Sequence, residues 1–174
     1  MGNVPKEVLA GMDATHSKMI EELYLEMFDK LKAYARSVLE SDALAEEAVQ
    51  ETFRIACQKP ESVYNCPNPQ GWIFIALKNT IRNIQSNRAT AKRILEMYLL
   101  VEAGQTAFSD DRLSIEVTYE NVADTEEFQL LKELAIEGKS HEEMAKARGI
   151  TVSACKKRVQ RAKEKLQQKL KSCL

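Results

Sequence analysis

Seven lysines and arginines, Lys146, Arg148, Lys156, Lys157, Arg158, Arg161 and Lys163, fall between Met144 and Lys163 with no acid among them. Cations at this density bind phosphate oxygens, and on one helix they make a surface for nucleic acid. A second acid-free stretch runs from Ser62 to Leu95. It opens inside the amide-rich segment QKPESVYNCPNPQG, just after Glu61, and continues with Lys78, Asn79, Arg82, Asn83, Arg88, Lys92 and Arg93. Amides followed by cations suit contact with bases and phosphates better than contact with a protein.

The elements that must hold the first set are legible locally. Ser140 followed at three residues by Glu143 is a capping box, which starts a helix. Gly149 stops it, since glycine enters the left-handed conformation past a helix end at least cost. Thr151 caps a second helix. In that helix Cys155, Val159, Ala162 and Leu166 recur at steps of four, three and four, so one apolar stripe faces the domain and the basic residues lie opposite. Two capped helices joined by a short glycine turn form a helix-turn-helix whose second helix enters a DNA major groove. The alternative is a solvated charged face on an ordinary helical hairpin.

The chain has 174 residues, 44% of them hydrophobic, with only 6 Gly and 4 Pro. With long 3.6-residue patterns, this predicts an all-α protein of two small helical domains. No apolar run reaches the roughly eighteen residues of a membrane span, and the polar start MGNVPKEV lacks a signal-peptide core, so no membrane insertion and a cytoplasmic location are expected. Cys57, Cys66, Cys155 and Cys173 lack C-x-x-C spacing and neighbouring histidines, which points to reduced thiols and no metal site. No cofactor is expected. The net charge of −1 conceals an asymmetry: residues 1–93 carry 12 basic and 12 acidic side chains, residues 94–127 carry 1 and 9, and residues 128–174 carry 12 and 5. The expected order is a flexible leader over 1–16, a helical domain over 17–93, an acidic linker over 94–124 and the helix-turn-helix domain over 125–174.

In the front domain Ile20, Leu23, Met27, Leu31, Tyr34 and Val38, widened by Tyr24, Phe28 and Ala35, make a core-facing helix. Ser41 or Asp42 caps the next, AEEAVQETFRIA, with Ala45, Ala48, Val49, Thr52 and Ile55 or Ala56 inward and Glu47, Gln50, Glu51 and Arg54 as an outward polar stripe. Pro60, Pro67, Pro69 and Gly71 then predict a long loop before a helix beginning at Trp72. Ile73, Ala76 or Leu77, Thr80 and Ile84 give that helix its buried face. The linker either is a solvated tether, with a short helix over Ile94 to Val101, or has a use of its own.

These stretches together resemble the bacterial RNA polymerase sigma-70 family, in particular its extracytoplasmic-function group, whose members keep only regions 2 and 4. That group's A-E-D-x-V-Q-E-x-F corresponds to Ala45 through Phe53, its W-L-x-x-I-A-x-N to Trp72 through Asn79, with Ile73 in place of leucine, the I-A pair as Ile75 and Ala76 and one residue more before Asn79, and its G-I-S-x-x-x-V-K-S-R-L-x-R-A-R to the run from Gly149 to Lys163. Asn83 stands where the group usually has aspartate, and Cys155 where it has a β-branched residue. The likeness spans residues 20–93 and 127–168.

The resemblance implies a sigma factor that binds core RNA polymerase and directs initiation at promoter DNA. Glu47, Gln50, Glu51 and Arg54 would dock on the polymerase clamp helices. Tyr64, Asn65, Asn68, Lys78, Asn79, Arg82 and Asn83 would hold the −10 element, one base of it flipped out. Ser153, Ala154, Lys156, Lys157 and Gln160 would read the −35 element, with Arg158 and Arg161 holding phosphate or the domain itself. It also implies an anti-sigma partner, and a linker whose charge mimics nascent RNA. A two-domain helix-turn-helix regulator not stably bound to polymerase explains the end of the chain but not the AEEAVQETF and WIFIALKN pairing. The lack of a phosphate-binding Gly loop, a metal-ligand cluster or a nucleophile with its base argues against an enzyme.

Overall fold

The computed structural model describes residues 13–106 and 125–172, and among them all regular structure is α-helical. The expected leader lies outside the described residues up to residue 12, while His16 already belongs to the first helix. Of the expected linker, residues 107–124 lie outside them, as does Cys173.

Helix α1, Ala14–Leu39, begins at Asp13, whose carboxylate accepts from the Thr15 N–H, and ends where Glu40 turns left-handed at φ 54°. Ile20, Leu23, Tyr24, Met27, Leu31, Ala35 and Leu39 are buried along it. In its last turn Leu39 is buried and Val38 is exposed, the reverse of the expected stripe. Helix α2, Asp42–Gln58, packs along α1 and is capped by Ser41, which accepts from the Leu44 N–H at 3.3 Å. Tyr24 meets Phe53 edge to face at 4.9 Å. Phe53 is 2% exposed, and truncating a phenylalanine so placed costs about 3–5 kcal/mol.

The long loop expected after residue 59 is short. Pro60 opens a one-turn helix α3, Pro60–Tyr64, and Pro69 opens α4, Pro69–Thr106. Proline starts helices because the N–H it lacks would be unpaired in the first turn and its fixed φ suits helix entry. Ile73, Leu77 and Ile81 of α4 join α1 and α2 in the first core. There the Thr52 hydroxyl lies 3.4 Å from that of Thr80 while each also donates to the carbonyl four residues back, so both buried hydroxyls are satisfied.

The chain divides into a unit ending at Gln85 and one beginning at Ser86. The expected boundary at residue 93 and linker from residue 94 therefore shift. Ala91, Ile94, Leu95 and Tyr98, at helical spacing on α4, are buried in the second core, because an apolar stripe there outweighs the acidic composition around it. That core is completed by α5, Glu126–Ala135, α6, His141–Ala147, and α7, Val152–Ser172. Arg88 of α4 donates through Nε to the Leu134 carbonyl at 3.2 Å, satisfying an end-of-helix acceptor of α5.

Candidate nucleic-acid interface

The capping box at Ser140 is complete. The Ser140 N–H donates to Glu143 Oε2 at 2.8 Å, and the Glu143 N–H donates to Ser140 Oγ at 3.2 Å. At the other end of α6 the Gly149 N–H donates to the Lys146 carbonyl at 3.3 Å and the Ile150 N–H to the Ala145 carbonyl at 3.1 Å. This pair of bonds is a Schellman turn, and it places Gly149 at φ 62°. A Cβ there would meet nothing within 4 Å, so backbone conformation rather than space asks for glycine. Thr151 Oγ1 accepts from the Ala154 N–H at 3.1 Å and starts α7. Cys155, Val159, Ala162 and Leu166 are buried, as their spacing predicts.

The seven cations do not share one face. Arg148 turns inward: its Nη1 and Nη2 donate to the two Glu133 oxygens at 2.9 and 3.1 Å, and Nη1 also donates to the Met144 carbonyl. Lys163 is 7% exposed and donates to Asn87 Oδ1 at 3.2 Å, and burial pushes its ammonium below the usual lysine range. Arg158 donates to Glu126 at 3.2 Å. Lys146, Lys157 and Arg161 are exposed and Lys156 is half-buried. Of the expected −35 readers, Ser153, Lys157 and Gln160 are exposed on the outer side of α7, Gln160 donating to Glu164 at 2.8 Å, while Ala154 is half-buried.

In the first unit the expected polar stripe is narrower than its spacing suggests. Glu47 is 7% exposed, because it sits at the edge of the apolar stripe, three residues after Leu44 and next to Ala48. Gln50 and Arg54 are exposed. Arg54 donates from Nε to Glu51 at 2.9 Å and from Nη2 to the other oxygen of the same carboxylate.

Tyr64 is half-exposed and stands edge-on to His16 with ring centres 4.9 Å apart. No local spacing in the sequence announces that pair, since the residues are separated by the whole of α2. Asn65 is exposed, with Nδ2 3.4 Å from Glu61. Asn68 is a helix cap: its Oδ1 accepts from the Gly71 N–H at 2.9 Å and its carbonyl from the Trp72 N–H at 3.1 Å. A Cβ on Gly71 would come within 2.8 Å of the Asn68 amide, so glycine admits this close cap. Lys78, Asn79, Arg82 and Asn83 are exposed on one face of α4 together with Ile75, which is 62% exposed, and Lys78 lies 5.2 Å over the Phe74 ring.

Among the described residues no group of three or more His, Cys, Asp or Glu side chains could hold a metal ion, and no helix is long and apolar enough to cross a membrane. Residues 125–166 match the family model for Sigma-70, region 4. No curated protein and no solved structure matches the chain. The matched residues are those of α5, α6 and most of α7, so the helix-turn-helix of the second unit is similar to a DNA-binding module of transcription.

Proposed function

We propose that the chain is a sigma factor of the extracytoplasmic-function group, which binds core RNA polymerase and directs it to promoters through their −10 and −35 elements. The observation that carries this reading is the capped α6, Schellman turn and most of α7 lying within the segment that matches sigma-70 region 4. In this reading Ser153, Lys157 and Gln160, with Lys156 and Ala154 beside them, meet base edges in the −35 duplex, and Arg161 grips phosphate.

The first unit supplies the rest of the proposed function. Gln50, Glu51 and Arg54 form the polymerase-docking surface, with the buried Glu47 shaping it from below. The face of Lys78, Asn79, Arg82 and Asn83 tracks the −10 strand, and Tyr64 and Asn65 meet an unstacked base by stacking and hydrogen bonding. Asn68 holds the end of α4 at that surface. The domains would be a region 2-like front, an acidic linker and a region 4-like end, and an anti-sigma protein would cover one or both interfaces.

The test is transcription in vitro with core polymerase, together with capture of the chain by core. Gln50→Lys is expected to lower core affinity about tenfold, equivalent to about 1.4 kcal/mol, with thermal stability unchanged. Lys157→Ala should cost about 1–3 kcal/mol at one −35 base pair, whereas Arg161→Ala should weaken all −35 variants alike. Specific duplex binding without capture by core would instead make the chain a separate helix-turn-helix regulator.

A further inference from the structure

The first turn of α5 lies against one flank of α7 and brings two carboxylates to it. Glu126 accepts from Arg158 at 3.2 Å, and Glu127 accepts from Lys165. Arg158 and Lys165 are two turns apart, and Arg161 stands between them in a cleft of about 250 Å³ bounded by both glutamates. Arg161 has no acceptor among the described residues. A carboxylate and a phosphate oxygen make the same kind of charge-assisted bond to a guanidinium or an ammonium.

The fold holds these acids in place for its own reasons. Thr125 caps α5, accepting from the Phe128 N–H at 3.4 Å, and the positive end of a helix favours acids in its first turn. The hydrogen bond from Lys165 holds the Glu127 carboxyl below the usual glutamate range, so it stays ionised. Glu126, at 62% exposure, is reachable from solvent and can be displaced.

We propose that Glu126 and Glu127 are an internal phosphate mimic, occupying Arg158 and Lys165 in the free protein and giving way to the backbone of duplex DNA. The first turn of α5 thereby lowers the affinity of α7 for any duplex while leaving its base-reading residues untouched. This rests on the DNA-binding reading of the second unit.

The test uses the full chain and short duplexes of unrelated sequence, with binding followed by fluorescence anisotropy at low salt. Exposed ion pairs of this kind shift an equilibrium by about two- to fivefold. Glu126→Gln should therefore bind every duplex about two- to fivefold more tightly than the natural chain. In an Arg158→Gln background the same change should give no gain, because the cation it releases is absent. The Glu127→Gln and Lys165→Gln pair forms a second, independent cycle should a variant of the first fail to fold. An equal gain with and without Arg158 would mean general charge repulsion and overturn the proposal. Binding by the natural chain with no gain for either glutamate variant overturns the proposal alone. No binding by any variant, natural chain included, overturns the DNA reading with it.

Discussion

Arg148 clasps Glu133 with both terminal nitrogens across the second unit, so a cation from the basic run tightens the base of the helix-turn-helix instead of facing outward. Both side chains are largely buried, at 20% and 17% exposure. The Glu133 carboxyl is held below the usual glutamate range chiefly by these hydrogen bonds, so the unfolded chain takes up its proton more readily than the folded one. The stabilisation is complete above the unfolded glutamate value of about 4.3 and is lost as pH falls from there through the lower folded value. Glu133→Gln should cost about 1–2 kcal/mol at pH 7 and flatten the acid limb of stability. Urea midpoints between pH 7 and pH 3 measure this. Parallel acid limbs in the two proteins would remove the pair as their cause.

Asn68 can be separated into a cap and a base contact by substitution. Loss of the cap in Asn68→Ala should lower the stability of the first unit by about 1 kcal/mol, and Asn68→Asp should restore it because a carboxylate oxygen caps as well. Transcription that returns with Asn68→Asp identifies the cap as what matters. Transcription lost equally in both variants identifies the amide as a contact to the −10 strand.

Lys163 behaves oppositely to its neighbours on α7. Its ammonium is buried on a neutral amide, and the lowered folded value means that the charged form opposes folding. That cost is present at neutral pH and is relieved as pH rises through the folded value toward the ordinary lysine value of about 10.4. Lys163→Met should raise stability by about 1 kcal/mol and leave duplex affinity unchanged. A loss of duplex affinity without a change in thermal midpoint would place Lys163 at the DNA.

What the sequence discloses follows the range of the interaction. The capping box, the Gly149 turn, the Thr151 cap and the Cys155 to Leu166 stripe depend on neighbours three to five residues away, and each is legible as written. Which cations face outward is not. Arg148 finds its partner 15 residues away and Lys163 finds Asn87 76 residues away, so tertiary packing decides their direction. Glu47 shows the same limit, since a residue at the edge of an apolar stripe is polar by type and buried by position. Pro60 and Pro69 are ambiguous in kind, because proline both ends and begins helices. The acidic composition after residue 93 masks the apolar spacing of Ile94, Leu95 and Tyr98.

Each unit also encloses a thiol of its own: Cys57 belongs to the first core and Cys155 to the second, and burial pushes the Cys57 thiol above its usual range. Cys66 is partly exposed. A thiol must be both deprotonated and reachable to react, so buried ones are alkylated only through transient opening of the structure around them. In a chain with Cys66 and Cys173 changed to serine, alkylation rates at the other two cysteines therefore give the opening free energies of the two units separately, without an added label. The protein carries an internal gauge for whether a bound partner steadies one half, the other, or both.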